Sequence, residues 1–130
     1  MNREKAMELT SPPKRFFLTA GSAEGYTPLN AFDAALINAG VGDLNLVKLS
    51  SILPPGCEHH DPFDLAAGTL TPVAYSSLTS HLTGEVIAAA VACALPEDPA
   101  QPGVIMEYSA RGSAENAEAI ARDMAAHAFS

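Results

Sequence analysis

The chain has 130 residues, of which 48% are apolar and 17% charged, enough for one domain with a buried core and unlike the composition of a disordered chain. Fifteen acidic residues against seven basic ones leave a net charge of −8, which disfavours a phosphate-binding surface, and with it nucleic acid as a partner, while suiting attraction of a cationic small molecule. No run approaches the roughly twenty apolar residues of a membrane span, and MNREKAMELTSPPKR lacks the apolar centre of a signal peptide, so no membrane association is expected and a cytoplasmic location is.

Residues 1–14, with Pro12-Pro13 and mixed charges, read as an irregular lead-in, and 15–20 as a first strand. The helix that follows is marked at both ends: Thr27 is placed to cap it, Pro28 takes the first helical position, where a missing N–H costs nothing, and Gly40 sits where a left-handed residue ends a helix. Leu29, Phe32, Leu36 and Ala39 recur at helical spacing as its apolar stripe. Val41-Gly42-Asp43 turns the chain into a strand over 44–53. The loop after Pro54-Pro55 is polar as far as Asp64, and 69–80 reads as a strand that Pro72 confines to an edge or a bulge. Residues 84–95 are ambiguous, since the alanines favour helix while Val86, Ile87 and Val91 suit a strand. A loop over 96–102, a strand over 103–109 and a helix capped by Ser113 complete the chain. In that helix Ala117, Ile120, Ala121, Met124 and Ala125 form the core-facing stripe, and Glu118 stands four residues before Arg122 as a surface pair. The alternation predicts an α/β (α+β) domain with helices packed on sheet faces.

Cys57 and Cys93 lie far apart without a CxxC spacing, which fits two thiols in a reducing compartment. The run Cys57-Glu58-His59-His60-Asp61 has the residue types of a metal site, but adjacent ligands on one loop converge poorly, and it reads as a solvated loop with no metal.

The segment from Asn45 to Gly56, NLVKLSSILPPG, runs an apolar strand into Ser50-Ser51 and then a double proline. A serine pair at a strand end is ordinarily a turn or a local hydrogen-bonder. The chemical alternative is an N-to-O acyl shift: the Ser51 hydroxyl attacks the Ser50 carbonyl, the resulting ester eliminates to dehydroalanine, and hydrolysis leaves a pyruvoyl group on a new chain starting at 51. Three other residues stand out. Asp33 falls within the apolar stripe, beside Phe32, Leu36 and Ile37, where a charge needs a partner; a helix aspartate paired with lysine or arginine is the plain alternative. Glu107 interrupts the apolar run 104–108, although period-two alternation could turn it to a wetter face. Asn45 is either a turn-proximal asparagine or a donor placed near the serine pair. Lys48 reads as a strand charge close to that pair.

NLVKLSSILPPG (45–56), together with GSAEGYTPLNAFDAALINAG (21–40) and GVIMEYSARG (103–112), resembles the pyruvoyl-dependent arginine decarboxylase family, the three blocks matching in order. The resemblance implies a strand over 84–95, a four-layer α-β-β-α sandwich, and assembly as a homotrimer or a dimer of trimers with the site between protomers. It also implies self-cleavage of the single domain 1–130 into a β chain, 1–50, ending at Ser50, and an α chain, 51–130, whose Ser51 becomes the covalent pyruvoyl cofactor, with no metal. L-arginine would condense through its α-amine with the keto group and lose its carboxyl as CO2 to give agmatine. By the same resemblance Asn45 assists processing, Asp33 grips the substrate guanidinium, Leu36, Gly42 and Leu44 form the pocket wall, and Glu107 returns the proton, its acidity weakened by burial. Members of the family continue about thirty residues past the last helix, whereas this chain ends at Ser130. Two other classes stay open: a pyruvoyl decarboxylase for another amino acid, and an unprocessed, non-enzymatic assembly subunit.

Overall fold

The structure is a computed structural model that describes residues 11–129, so most of the lead-in lies outside the described residues. Its elements are β1 (Arg15–Phe16), α1 (Pro28–Asn38), β2 (Asn45–Lys48), β3 (Ile52–Leu53), β4 (Glu58–His59), β5 (Leu70–Val73), β6 (Ile87–Ala94), β7 (Gly103–Arg111) and α2 (Ala114–Ala126). β1 pairs in parallel with β4 and β2 with β5, while β3, β7 and β6 make an antiparallel sheet in that order. The fold is mixed α/β, as its alternating pattern predicts.

The core forms where α2 lies on the β6–β7 pair. Ala117, Ala121 and Ala125, spaced four apart on one row of the helix, are all buried, the last two in a cluster with Ala92 against which Ala90, Ala94, Met106 and Tyr108 pack. These alanines resolve the ambiguity of 84–95. Intrinsic preference for helix is outweighed because β6 pairs with β7 along its whole length and small side chains let α2 approach its face. Ile120 is half-buried, but Met124 lies outside the contact and is exposed, a correction to the expected stripe. The expected Arg122–Glu118 pair forms at 2.8 Å, and Ser113 accepts a hydrogen bond from the Asn116 amide at 3.1 Å.

Three expected strands are shorter than their sequence patterns, each for want of a partner. β1 stops at Phe16 because its partner β4 has two residues; the chain then runs along α1, where Thr19 Oγ1 donates to the Ala39 carbonyl at 2.6 Å and Asn38 Oδ1 accepts from the Ser22 amide at 3.1 Å. The strand expected over 44–53 is split between two sheets. The Leu49 amide still donates to the Val73 carbonyl at 2.8 Å, extending β2–β5, whereas the Ser51 carbonyl accepts from the Ile105 amide at 2.8 Å, extending β3–β7. Ser50 is therefore the crossover residue. Since β2 ends there, residues 74–80 have no strand beside them and β5 stops at Val73, with Pro72 on a two-stranded ladder as expected.

The α1 signals are read correctly in outline. Thr27 Oγ1 accepts from the Asn30 amide at 3.1 Å, and Gly40 has φ +86°. Its apolar stripe is not buried, however: no residue of the helix is, and Leu29 is 67% exposed. Gly42 has a packing reason to lack a side chain, because a Cβ there would lie 2.9 Å from the Ile37 Cα, against the last turn of α1. Gly42→Ala is expected to lower stability by about 1–3 kcal/mol, read as the shift in a denaturation midpoint; an unchanged midpoint would show that the turn adjusts freely.

Candidate active site

The face of the three-stranded sheet opposite α2 carries the odd-numbered residues of β7. Glu107 stands across from Val91, and Ile105 across from Cys93. On the other side of β7 the pairs Ile52↔Val104 and Leu53↔Gly103 continue through the Ser51–Ile105 hydrogen bond, so Ser51 is opposite Ile105. Directly opposed residues share a face. Ser51 and Glu107 thus belong to one face as diagonal neighbours, whose Cα separation in a regular ladder is about 7–8 Å.

Glu107 also lines a cleft of about 260 Å3, with Lys48 from β2, Tyr75, Ser76 and Ser77 from the segment after β5, and Tyr108 and Ser109. Glu107 is half-buried and its neighbours are largely hydroxyl-bearing, which corrects the expected apolar enclosure. The Lys48 ammonium lies 4.6 Å from the centre of the Tyr75 ring, and that ring lies 5.8 Å from the Phe32 ring of α1. Sequence reading misses Tyr75, Ser76, Ser77 and Ser109 and gives Lys48 no role. Its available signal is the polar run Tyr75-Ser76-Ser77 following an apolar strand without a turn glycine.

Asp33 is exposed on α1, so its carboxylate does not need the buried partner that its place in the stripe suggested, and it makes no ion pair among the described residues. Leu36 is half-buried one turn on, Gly42 packs on Ile37, and Leu44 is half-buried just before β2. These four residues do not line the cleft that contains Glu107. Asn45 is exposed and its side-chain amide donates to the Gly68 carbonyl at 2.8 Å, tying the start of β2 to the turn before β5.

Burial raises the thiol pKa of Cys57, helped by neighbouring Glu58, and burial likewise raises that of Cys93, helped by Cys57; both are less reactive than ordinary cysteines. In the loop run, His59 stacks on Phe16 at 5.2 Å and His60 Nε2 lies 3.5 Å from Glu58 Oε2.

The sequence profile of the pyruvoyl-dependent arginine decarboxylases matches residues 15–130, which takes in all three sheets, the crossover and the cleft. The chain belongs to the pyruvoyl-dependent arginine decarboxylase family. It is 47% identical over 117 residues to the pyruvoyl-dependent arginine decarboxylase of Methanocaldococcus jannaschii, covering 90% of this chain and 71% of that one. The proteins of the same name from Methanococcus aeolicus (44% over 117 residues, 90% and 71%) and Pyrococcus abyssi (40% over 119 residues, 90% and 75%) are similar over the same share of the chain. Membership in this family implies a covalent pyruvoyl group, and Ser51 fits as its source. It stands beside a crossover whose flanking residues are both hydrogen-bonded, leaving the Ser50-Ser51 peptide itself outside either ladder.

Proposed function

We propose that this protein decarboxylates L-arginine to agmatine and CO2, after cutting its own chain between Ser50 and Ser51. The observation that carries the reading is that bond's position, suspended between two sheets with Glu107 on the face that Ser51 joins. Leu49 is fixed to β5 and Ser51 to β7, so the backbone between them has little freedom to relax away from the attacking hydroxyl. Ser51 Oγ bonds to the Ser50 carbonyl carbon as the Ser50–Ser51 C–N bond breaks, giving an ester. Loss of the Ser51 α-proton with cleavage of its Cβ–O bond expels the Ser50 carboxylate, and water then displaces ammonia from the dehydroalanine. The pyruvoyl group so derived from Ser51 would supply an electron sink for the pair released with CO2.

The chain's residues do the rest. Glu107 supplies the proton that replaces the lost carboxyl group at the substrate Cα. Asp33 takes the guanidinium, whose planar fork matches a carboxylate and distinguishes arginine from lysine, while Leu36, Gly42 and Leu44 wall the side chain. Asn45 assists cutting through the N–H and carbonyl left over from its bond to Gly68. β2 runs about 13 Å from Asn45 to Leu49 at 3.3 Å per residue, so the assisting asparagine comes from a neighbouring copy.

Assembly supplies what one chain lacks. The chain exposes 9273 Å2, where about 6,500 Å2 is expected of a 13.5 kDa monomer. Leu29, Ile37, Leu70, Leu82 and Val86 are 61–74% exposed, an apolar surface suited to a homotrimer or a pair of trimers. Such packing would cover α1, complete the four layers of helix, two sheets and helix, and bring one copy's Asp33 surface to another's cleft. A cytoplasmic location goes with this reading, and no helix among the described residues is long and apolar enough to cross a membrane.

Intact mass under denaturing conditions, followed by CO2 release from arginine, lysine, ornithine and histidine, tests the reading. Two fragments and arginine preference are expected; a permanently uncut chain would leave an assembly subunit, and preference for another acid would change the substrate. Asp33→Asn is expected to be cut normally yet lose about a hundredfold or more in kcat/KM for arginine. Unchanged kinetics would return Asp33 to the plain helix surface.

A further inference from the structure

Lys48 and Glu107 line the same cleft, yet neither makes an ion pair with the other or with any other charged group among the described residues. The Lys48 ammonium is instead held over the face of Tyr75, 4.6 Å from its centre. A ring face attracts a cation through its quadrupole and fixes its position, but carries no net charge to cancel it. The cleft therefore presents a positioned cation with no ion-pair partner among the described residues, in a protein whose net charge is −8.

Resting on the decarboxylase reading above, we infer that Lys48 binds the α-carboxylate of the substrate and so distinguishes the amino acid from its decarboxylated product. Arginine carries one carboxylate that agmatine lacks. Before reaction the Lys48 ammonium attracts that group; once CO2 has left, the same ammonium faces only the product's positive charges. Lys48 thus favours loading with arginine and release of agmatine. The attraction fades as the carboxylate loses its charge in the transition state, so Lys48 lowers KM without raising kcat. Tyr75 is the positioning residue, and its ring ties the handle to Phe32 of the helix that carries Asp33.

Cutting creates one competing anion, the new carboxylate of Ser50, two residues beyond Lys48. If Lys48 pairs with that group, the substrate carboxylate gains nothing from it.

Two ligands separate these possibilities in the cut, assembled protein. Nα-acetylarginine keeps the guanidinium and the carboxylate but cannot condense through its amine, and Nα-acetylargininamide lacks the carboxylate as well. By calorimetry the wild type is expected to bind the first about tenfold more tightly than the second. Lys48→Met should abolish that preference and Lys48→Arg should keep it. In steady state Lys48→Met should raise KM for arginine about tenfold, leave kcat unchanged or higher, and strengthen inhibition by agmatine. A wild type indifferent to the two ligands, or a Lys48→Met protein that retains the preference, overturns the inference. If the wild type decarboxylates arginine in either case, the function above stands without it; if it releases CO2 from no amino acid, it is that function which fails.

Discussion

A Ser51→Ala protein is expected to persist as one chain of 130 residues, while the wild type resolves into fragments 1–50 and 51–130. Without the hydroxyl no ester forms, and the Ser50 hydroxyl could reach its own carbonyl carbon only through a strained four-membered ring. The wild-type fragments should together weigh about 1 Da more than the uncut chain, because hydrolysis adds water and releases ammonia. The larger fragment should also resist amino-terminal sequencing. On the proposed scheme the electron sink derives from this residue, so arginine decarboxylation by Ser51→Ala should drop to background, a loss of at least about a millionfold. A wild-type preparation that remains a single band after prolonged incubation would sink the processing scheme.

Glu107→Gln should part the two reactions. The amide keeps the shape of the side chain and lies outside the crossover, so cutting should proceed. It cannot serve as the acid that protonates the substrate carbon, and agmatine release should slow by about a hundred- to ten-thousandfold. Single-turnover measurements on fully cut protein read the step directly. Wild-type turnover would remove Glu107 from the chemistry, and a failure to cut would move its role to processing.

What could be read from the sequence depended on how far the determining contact lay along the chain. The helix caps at Thr27 and Ser113 are legible because each hydroxyl meets an amide three residues away. The ends of β2 and β5 are not, since they are fixed by where the other strand stops and by the sheet change at Ser50. The apolar stripe of α1 is real as a pattern, but in one chain it is only half covered, and periodicity says only that a face seeks cover. Ser51 and Glu107, more than fifty positions apart, reach the same face through a register that no local pattern encodes. Lys48 over Tyr75 is harder still: a cation on a ring leaves no spacing signature, so the residue looked like an ordinary strand charge.

Both parallel ladders join a strand from before Ser51 to one from after it: β1 with β4, and β2 with β5. In the uncut chain each ladder closes a loop within one molecule; in the proposed cut form it would have to be found by collision between two. The uncut Ser51→Ala chain should regain these ladders after denaturant is removed at a rate independent of dilution, at least until copies meet. The mature pair should recover as a second-order process and fail at low concentration. On the proposed scheme maturation would erase the route by which the protein was made, and its lifetime once cut would be governed by how slowly it opens rather than by how readily it would form again.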